Sequence, residues 1–98
     1  MVTLDSVVKI ADDVIFQELE GEAVLLNMQS EIYFGLDATG TRIWELLKND
    51  GRVRFVSDAL LDEYEVGEEQ LWDHLCEFIN QLHSKGLVEV REAEPSHE

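Results

Sequence analysis

EAVLLNMQSEIYFGLDATGTRIWELL, residues 22–47, is the stretch on which the fold turns. It begins with two runs rich in Leu, β-branched and aromatic residues, 22–28 and 31–36, separated only by Gln29-Ser30. That pattern predicts two antiparallel strands joined by a tight turn. Asp37 then stands where a helix cap belongs, and Ile43, Trp44, Leu46 and Leu47 recur at the spacing of one helical face, so residues 38–48 are expected to be helical. Just upstream, residues 14–19 read as another strand, with Glu20-Gly21 as its turn. Three strands joined by short turns make a meander in which neighbours in sequence are neighbours in the sheet. Ala23-Val24-Leu25-Leu26 is apolar on both faces, as suits the middle strand, which leaves residues 31–36 as an edge with backbone donors and acceptors unpaired on one side.

Downstream, a second helix is expected over residues 53–63, with Val53, Val56, Leu60 and Tyr64 as its buried stripe. Its start is irregular, because Arg52 stands where Ser, Thr or Asp would cap, and Phe55 falls outside the stripe. The third and longest helix is expected over residues 68–85: Glu68 and Glu69 favour its positive N-terminal end, Lys85 its negative C-terminal end, and Gly86 its termination. Gly40, in the first turn of the first helix, costs ~1 kcal/mol relative to alanine, which points to close packing there, expected to be against the sheet. Residues 87–90 are a short apolar return, and residues 91–98 a charged tail expected to be disordered. Residues 1–13, with Val7, Val8 and Ile10 broken off by Asp12-Asp13, are expected to be an arm laid against a domain spanning 14–90.

Composition narrows the function. Ninety-eight residues suffice for one domain with a modest core. Twenty-two acids against seven bases give a net charge of −15, which repels phosphate backbones and anionic headgroups and suits solubility or a basic partner. A single cysteine excludes an internal disulfide and a zinc site of paired cysteines. With no long apolar run and no signal-peptide pattern, a cytoplasmic protein without membrane attachment is expected. His74 and His83, nine residues apart on one helix, are too far separated to share a metal. Cys76 lacks a basic neighbour to make it a thiolate. No phosphate loop or catalytic triad is present, so neither a cofactor nor catalysis is expected.

The third helix carries more apolar surface than one face requires. Leu71, Leu75, Phe78 and Leu82 form one stripe, and Trp72, Cys76 and Ile79 a second beside it. Either both stripes are core, or the second walls a groove against the edge strand, into which an extended peptide can add as a strand.

The phrase "LL…YFGLDATGTRIWELL" resembles the PqqD-like proteins, small leader-peptide-binding domains of ribosomal peptide natural-product pathways, and the likeness runs over residues 14–90. What the resemblance implies is an α+β fold of winged helix-turn-helix type, with a three-stranded antiparallel sheet packed on three helices. It further implies a precursor leader held as a fourth strand. Carried over to matching positions, Glu31, Ile32, Tyr33 and Phe34 would be the strand wall, and Trp72, Leu75, Cys76 and Ile79 the helix wall. Substituting Trp72 or Ile79 is then expected to weaken binding and leave the fold intact. "NMQSEIYFGLDATG" is similar to the stand-alone domains of lasso-peptide clusters, and the Pro-Glu pair expected before this strand in the pyrroloquinoline quinone protein is absent, the chain having Gln29-Ser30-Glu31 there. Asp37 stands for the Asn of "LNATG", a change that keeps capping.

On the lasso reading the domain hands its precursor to a leader peptidase or another modifying enzyme, with the exposed-looking Val53, Arg54 and Phe55 as a candidate docking point. The alternatives are a peptide chaperone of quinone biosynthesis or a winged-helix DNA-binding regulator. The last is opposed by Glu68, Glu69, Asp73 and Glu77 on the helix that would read DNA. A monomer or weak dimer is expected, since an open edge strand can pair with a second copy.

Overall fold

The computed structural model describes residues 2–20 and 22–92. Among these residues, five strands and three helices follow in the order β1 (Ser6–Ile10), β2 (Val14–Leu19), β3 (Glu22–Asn27), β4 (Ile32–Leu36), α1 (Ala38–Asn49), α2 (Val53–Glu63), α3 (Glu68–Ser84) and β5 (Val88–Glu92). The fold is α+β, with three helices and two antiparallel sheets: a meander β2–β3–β4 and a two-stranded ribbon β1–β5. No helix is long and apolar enough to cross a membrane among the described residues.

The meander follows the periodicity. Ala23, Leu25 and Asn27 are buried on one face of β3, and their cross-strand partners Leu36, Phe34 and Ile32 share that face. The β3–β4 connection is longer than a two-residue turn. Glu31 takes a left-handed backbone (φ 61°) and donates its N–H to Asn27 O at 2.7 Å, so it belongs to the turn and not to the strand. Asn27 governs this turn. Its Oδ1 accepts from the N–H groups of Gln29 (2.9 Å) and Ser30 (3.2 Å), and its Nδ2 donates to Gly86 O (3.0 Å), beyond the end of α3. A buried amide with those partners fixes the hairpin to the helical layer. Of the predicted Glu20-Gly21 turn, Glu20 is left-handed (φ 52°), and Gly21 lies outside the described residues.

Asp37 caps α1, its carboxylate accepting from Gly40 N at 2.7 Å. A Cβ on Gly40 would sit 3.1 Å from the Phe78 ring and 3.4 Å from Leu36 Cδ2, so the glycine lets α1 close on α3 as well as on the sheet. Helix α2 starts without a side-chain cap; the carboxylate of Asp50 instead accepts from Arg52 N (3.0 Å) and from its guanidinium (2.6 Å). Arg42 grips Glu63 through two hydrogen bonds, 2.8 and 2.6 Å, tying α1 to α2. Past α3, Gly86 is left-handed (φ 72°), and Leu87 N donates to Leu82 O (3.0 Å), the glycine-terminated ending predicted for this helix.

The two chain ends depart from expectation. Residues 6–10 are a strand in register with β5, from Ser6 opposite Glu92 to Ile10 opposite Val88, and Ser6 and Val8 are buried. This segment thus pairs with the last strand and contributes to the buried interior, and a boundary at residue 14 would separate it from β5. Arg91 and Glu92, assigned in sequence to the tail, end β5, and residues 93–98 lie outside the described residues. The core runs between the layers through Leu25, Ile43, Leu60, Leu75, Ile79 and Leu82.

Candidate functional site: the open edge of β4 and its cleft

Among the described residues, strand β4 has β3 on one side and no strand on the other. Its outer backbone groups therefore form an open ladder. Ile32 and Tyr33 are exposed, Tyr33 by 68%, and Phe34 turns inward to meet Phe78 edge to face, ring centroids 6.1 Å apart. Between this edge and α3 lies a cleft of about 210 Å³. Its strand side is Phe34, Gly35 and Asp37; its helix side is His74, Glu77, Phe78 and Gln81. The helix residues follow i, i+3, i+4, i+7 spacing, one stripe facing the strand. The two aromatic rings form its apolar floor, and Asp37 and Glu77 are the carboxylates in its lining, without a lysine or arginine beside them.

The helix side of this cleft is made of other residues than those expected from sequence to wall a groove. Leu75 and Ile79 are 0% exposed and belong to the core, so neither offers surface to a ligand. Trp72 and Cys76 are half-buried but absent from this cleft. Trp72 looks into a different hollow, formed with residues 2–5 and α2. Burial, with Asp73 nearby, pushes the Cys76 thiol above its ordinary range, which disfavours the thiolate. Glu31 sits in the turn that precedes the strand. Of the predicted strand wall, Phe34 lines the cleft, and Ile32 and Tyr33 lie along the same edge. His74, Glu77 and Gln81 line this cleft and were not among the residues expected from sequence; the signal available was the helical spacing of polar residues flanking Phe78.

The candidate docking triad also divides. Val53 is 0% exposed. Arg54 is paired with Asp5 across 3.1 Å, and Phe55 borders a separate depression of about 350 Å³ with Leu4 and Arg52.

The comparisons with known proteins bear on this edge. Residues 22–88 match the family described as coenzyme PQQ synthesis protein D, PqqD. A solved structure of TbiB1 in complex with the TbiA(beta) leader peptide is 41% identical, matches 83% of this chain and 94% of that one, and superposes with a TM-score of 0.76. A second, lasso peptide synthetase B1 complexed with the leader peptide, is 19% identical over 84% of this chain and 96% of that one, TM-score 0.68, which shows likeness of fold. No curated protein matches the chain. A family match over most of the sequence, and a relative 41% identical across nearly all of its own length, lead to one conclusion: this chain belongs to the PqqD family.

Proposed function

We propose that this protein binds the leader region of a ribosomally made precursor peptide, of lasso-peptide type, as an added strand along β4. The observation that carries the proposal is the open edge of β4 beside an aromatic-floored cleft on α3. Main-chain pairing to the edge supplies affinity with little sequence demand, and anchor side chains entering the cleft supply selection. The relative at 41% identity was solved with a leader peptide bound, which supports the same role here. We read the three helices and the β2–β3–β4 meander as a winged helix-turn-helix used for peptides. Glu68, Glu69, Asp73 and Glu77 on α3 disfavour nucleic acid as its ligand. In this reading the protein is a cytoplasmic binding module, not a catalyst, and it presents the leader to a peptidase or other processing enzyme.

Fluorescence polarisation with labelled leaders tests this. A lasso-type leader is expected to bind saturably, and a scrambled one not to bind; preference for a quinone-precursor leader would move the protein to that pathway. Two further measurements address geometry. Methylating alternate backbone nitrogens of the leader should abolish binding in one register and spare it in the other, because only one set of amides faces β4. His74→Trp and Gln81→Trp, at exposed cleft positions, should fold normally and lower affinity about tenfold or more by filling the space. Indifference to both changes would place the peptide elsewhere.

A further inference from the structure

Trp72 lies about 120° around α3 from Phe78, at 3.6 residues per turn, and opens onto a second and larger cleft of about 970 Å³. One wall is the N-terminal segment at residues 2–5, the second is α2 through Ser57, Asp58 and Leu61, and the third is the first turns of α3. The N-terminal wall is built rather than draped: Thr3 N donates to the buried Ser6 Oγ (2.9 Å), Ser6 N returns to Thr3 O (3.0 Å), and Arg54 reaches Asp5 (3.1 Å). Apolar groups supply the floor: buried Val2, half-buried Leu61 and Trp72, with exposed Leu4 at the lip.

The rim is one-sided in charge. Asp5, Asp58, Glu68 and Glu69 face a single cation, Arg54, which Asp5 already engages. Among the described residues Asp58, Glu68 and Glu69 take part in no ion pair. Glu68 and Glu69 favour the N-terminal end of α3. Asp58, in the middle of α2, has no such function in its own helix.

We propose that this cleft docks a segment of a partner protein in which an apolar side chain is flanked by lysine or arginine. The apolar group would enter over Leu61 and Trp72, and a cation beside it would meet the indole face and the unpaired carboxylates. A second copy of this chain is a poor occupant, because it brings another net charge of −15 to an acidic rim. The site is independent of leader binding: the two clefts use different faces of α3 and can be filled together.

The test is amide chemical-shift mapping with the hexapeptide acetyl-Lys-Arg-Leu-Lys-Leu-Arg-amide. The expected result is a saturable shift confined to residues 2–5, 57–61 and 68–72, weakened by salt. A Ser-for-Leu peptide of the same charge and a Gln-for-cation peptide should both fail. Asp58→Asn combined with Glu69→Gln should keep the melting temperature and lower affinity about tenfold. Shifts spread over all acidic surfaces, equal binding of the Ser-for-Leu peptide, an unaffected double variant, or self-association through this cleft would each overturn the proposal. A lasso-type leader added in parallel should move β4 and residues 74–81 instead. Its failure alongside success of the basic peptide would sink the leader reading and leave this one standing.

Discussion

Phe78 and Ile79 are consecutive residues with different consequences. Phe78 is 9% exposed, and its ring lines the cleft beside β4; Ile79 is 0% exposed, among side chains of the core. A carboxylate at position 79 has no partner and no water, a penalty of several kcal/mol against a total stability of about 5–15 kcal/mol. Ile79→Asp is therefore expected to unfold the domain in a circular-dichroism denaturation, whereas Ile79→Val should cost only about 0.5–1.5 kcal/mol and leave leader affinity unchanged. Selective loss of binding by folded Ile79→Asp would restore the groove wall read in sequence. Cys76, one turn earlier, is half-buried with its thiol pushed up by desolvation and then by Asp73. Iodoacetamide at mildly alkaline pH should label it more slowly in the native protein than in denaturant, since the thiolate is the reactive form. At this scale the sequence yielded the Asp37 cap. It did not yield which side chains of α3 are buried and which line the cleft beside β4, because two adjacent apolar stripes carry no mark of which faces the sheet and which the interior.

Elements were more legible than their ends. The meander, the edge position of β4 and all three helices follow from periodicity and breakers, which are local signals. The β3–β4 turn was misjudged because its geometry depends on Asn27, whose amide bonds both the turn and Gly86, 59 residues on. The irregular start of α2, by contrast, was visible in Arg52 and is real: this helix has no side-chain cap. Arg52→Ser restores a capping oxygen, worth about 1 kcal/mol, and gives up an ion pair with Asp50 that lies in solvent and is screened by it. The cap wins, so a rise of a few degrees in Tm is expected. The same substitution removes the guanidinium that holds the Asp50 carboxyl below its usual range. That pair's contribution exists above the unfolded carboxyl's pKa and is lost as pH falls through the lower folded value, so the gain from Arg52→Ser should be larger in acid than at neutral pH. A Tm that falls instead would mean that Asp50 and Arg52 together are the working cap.

At the scale of the molecule, the ribbon β1–β5 joins the two ends of the chain. Its pairing of Ser6 with Glu92 spans nearly the whole sequence, so no local pattern announces it, and residues 6–10 read as an arm and residues 91–92 as tail. The ribbon does more than close the chain. Val8 N donates to Gly51 O at 2.7 Å, and a Cβ on Gly51 would collide with the Val8 carbonyl, so β1 lies against the α1–α2 connection at a position that requires glycine. Val2 and Val8 bury apolar surface worth roughly 1.5–3 kcal/mol each, and removing β1 would also expose the inner side of Val88 and strip β5 of its partner. A chain beginning at Val14, the boundary suggested by sequence, should therefore lose most of its stability even though the β2–β3–β4 meander and the cleft beside β4 lie wholly within it. Urea denaturation of that shortened chain, with hydrogen exchange on the full one, decides the matter. The expected pattern is strong protection of β1 amides in the full chain and a non-cooperative or strongly shifted transition in the short one. If the short chain instead melts like the full chain and binds leader equally well, β1 is an appendage, and the folded unit is the meander and helices alone.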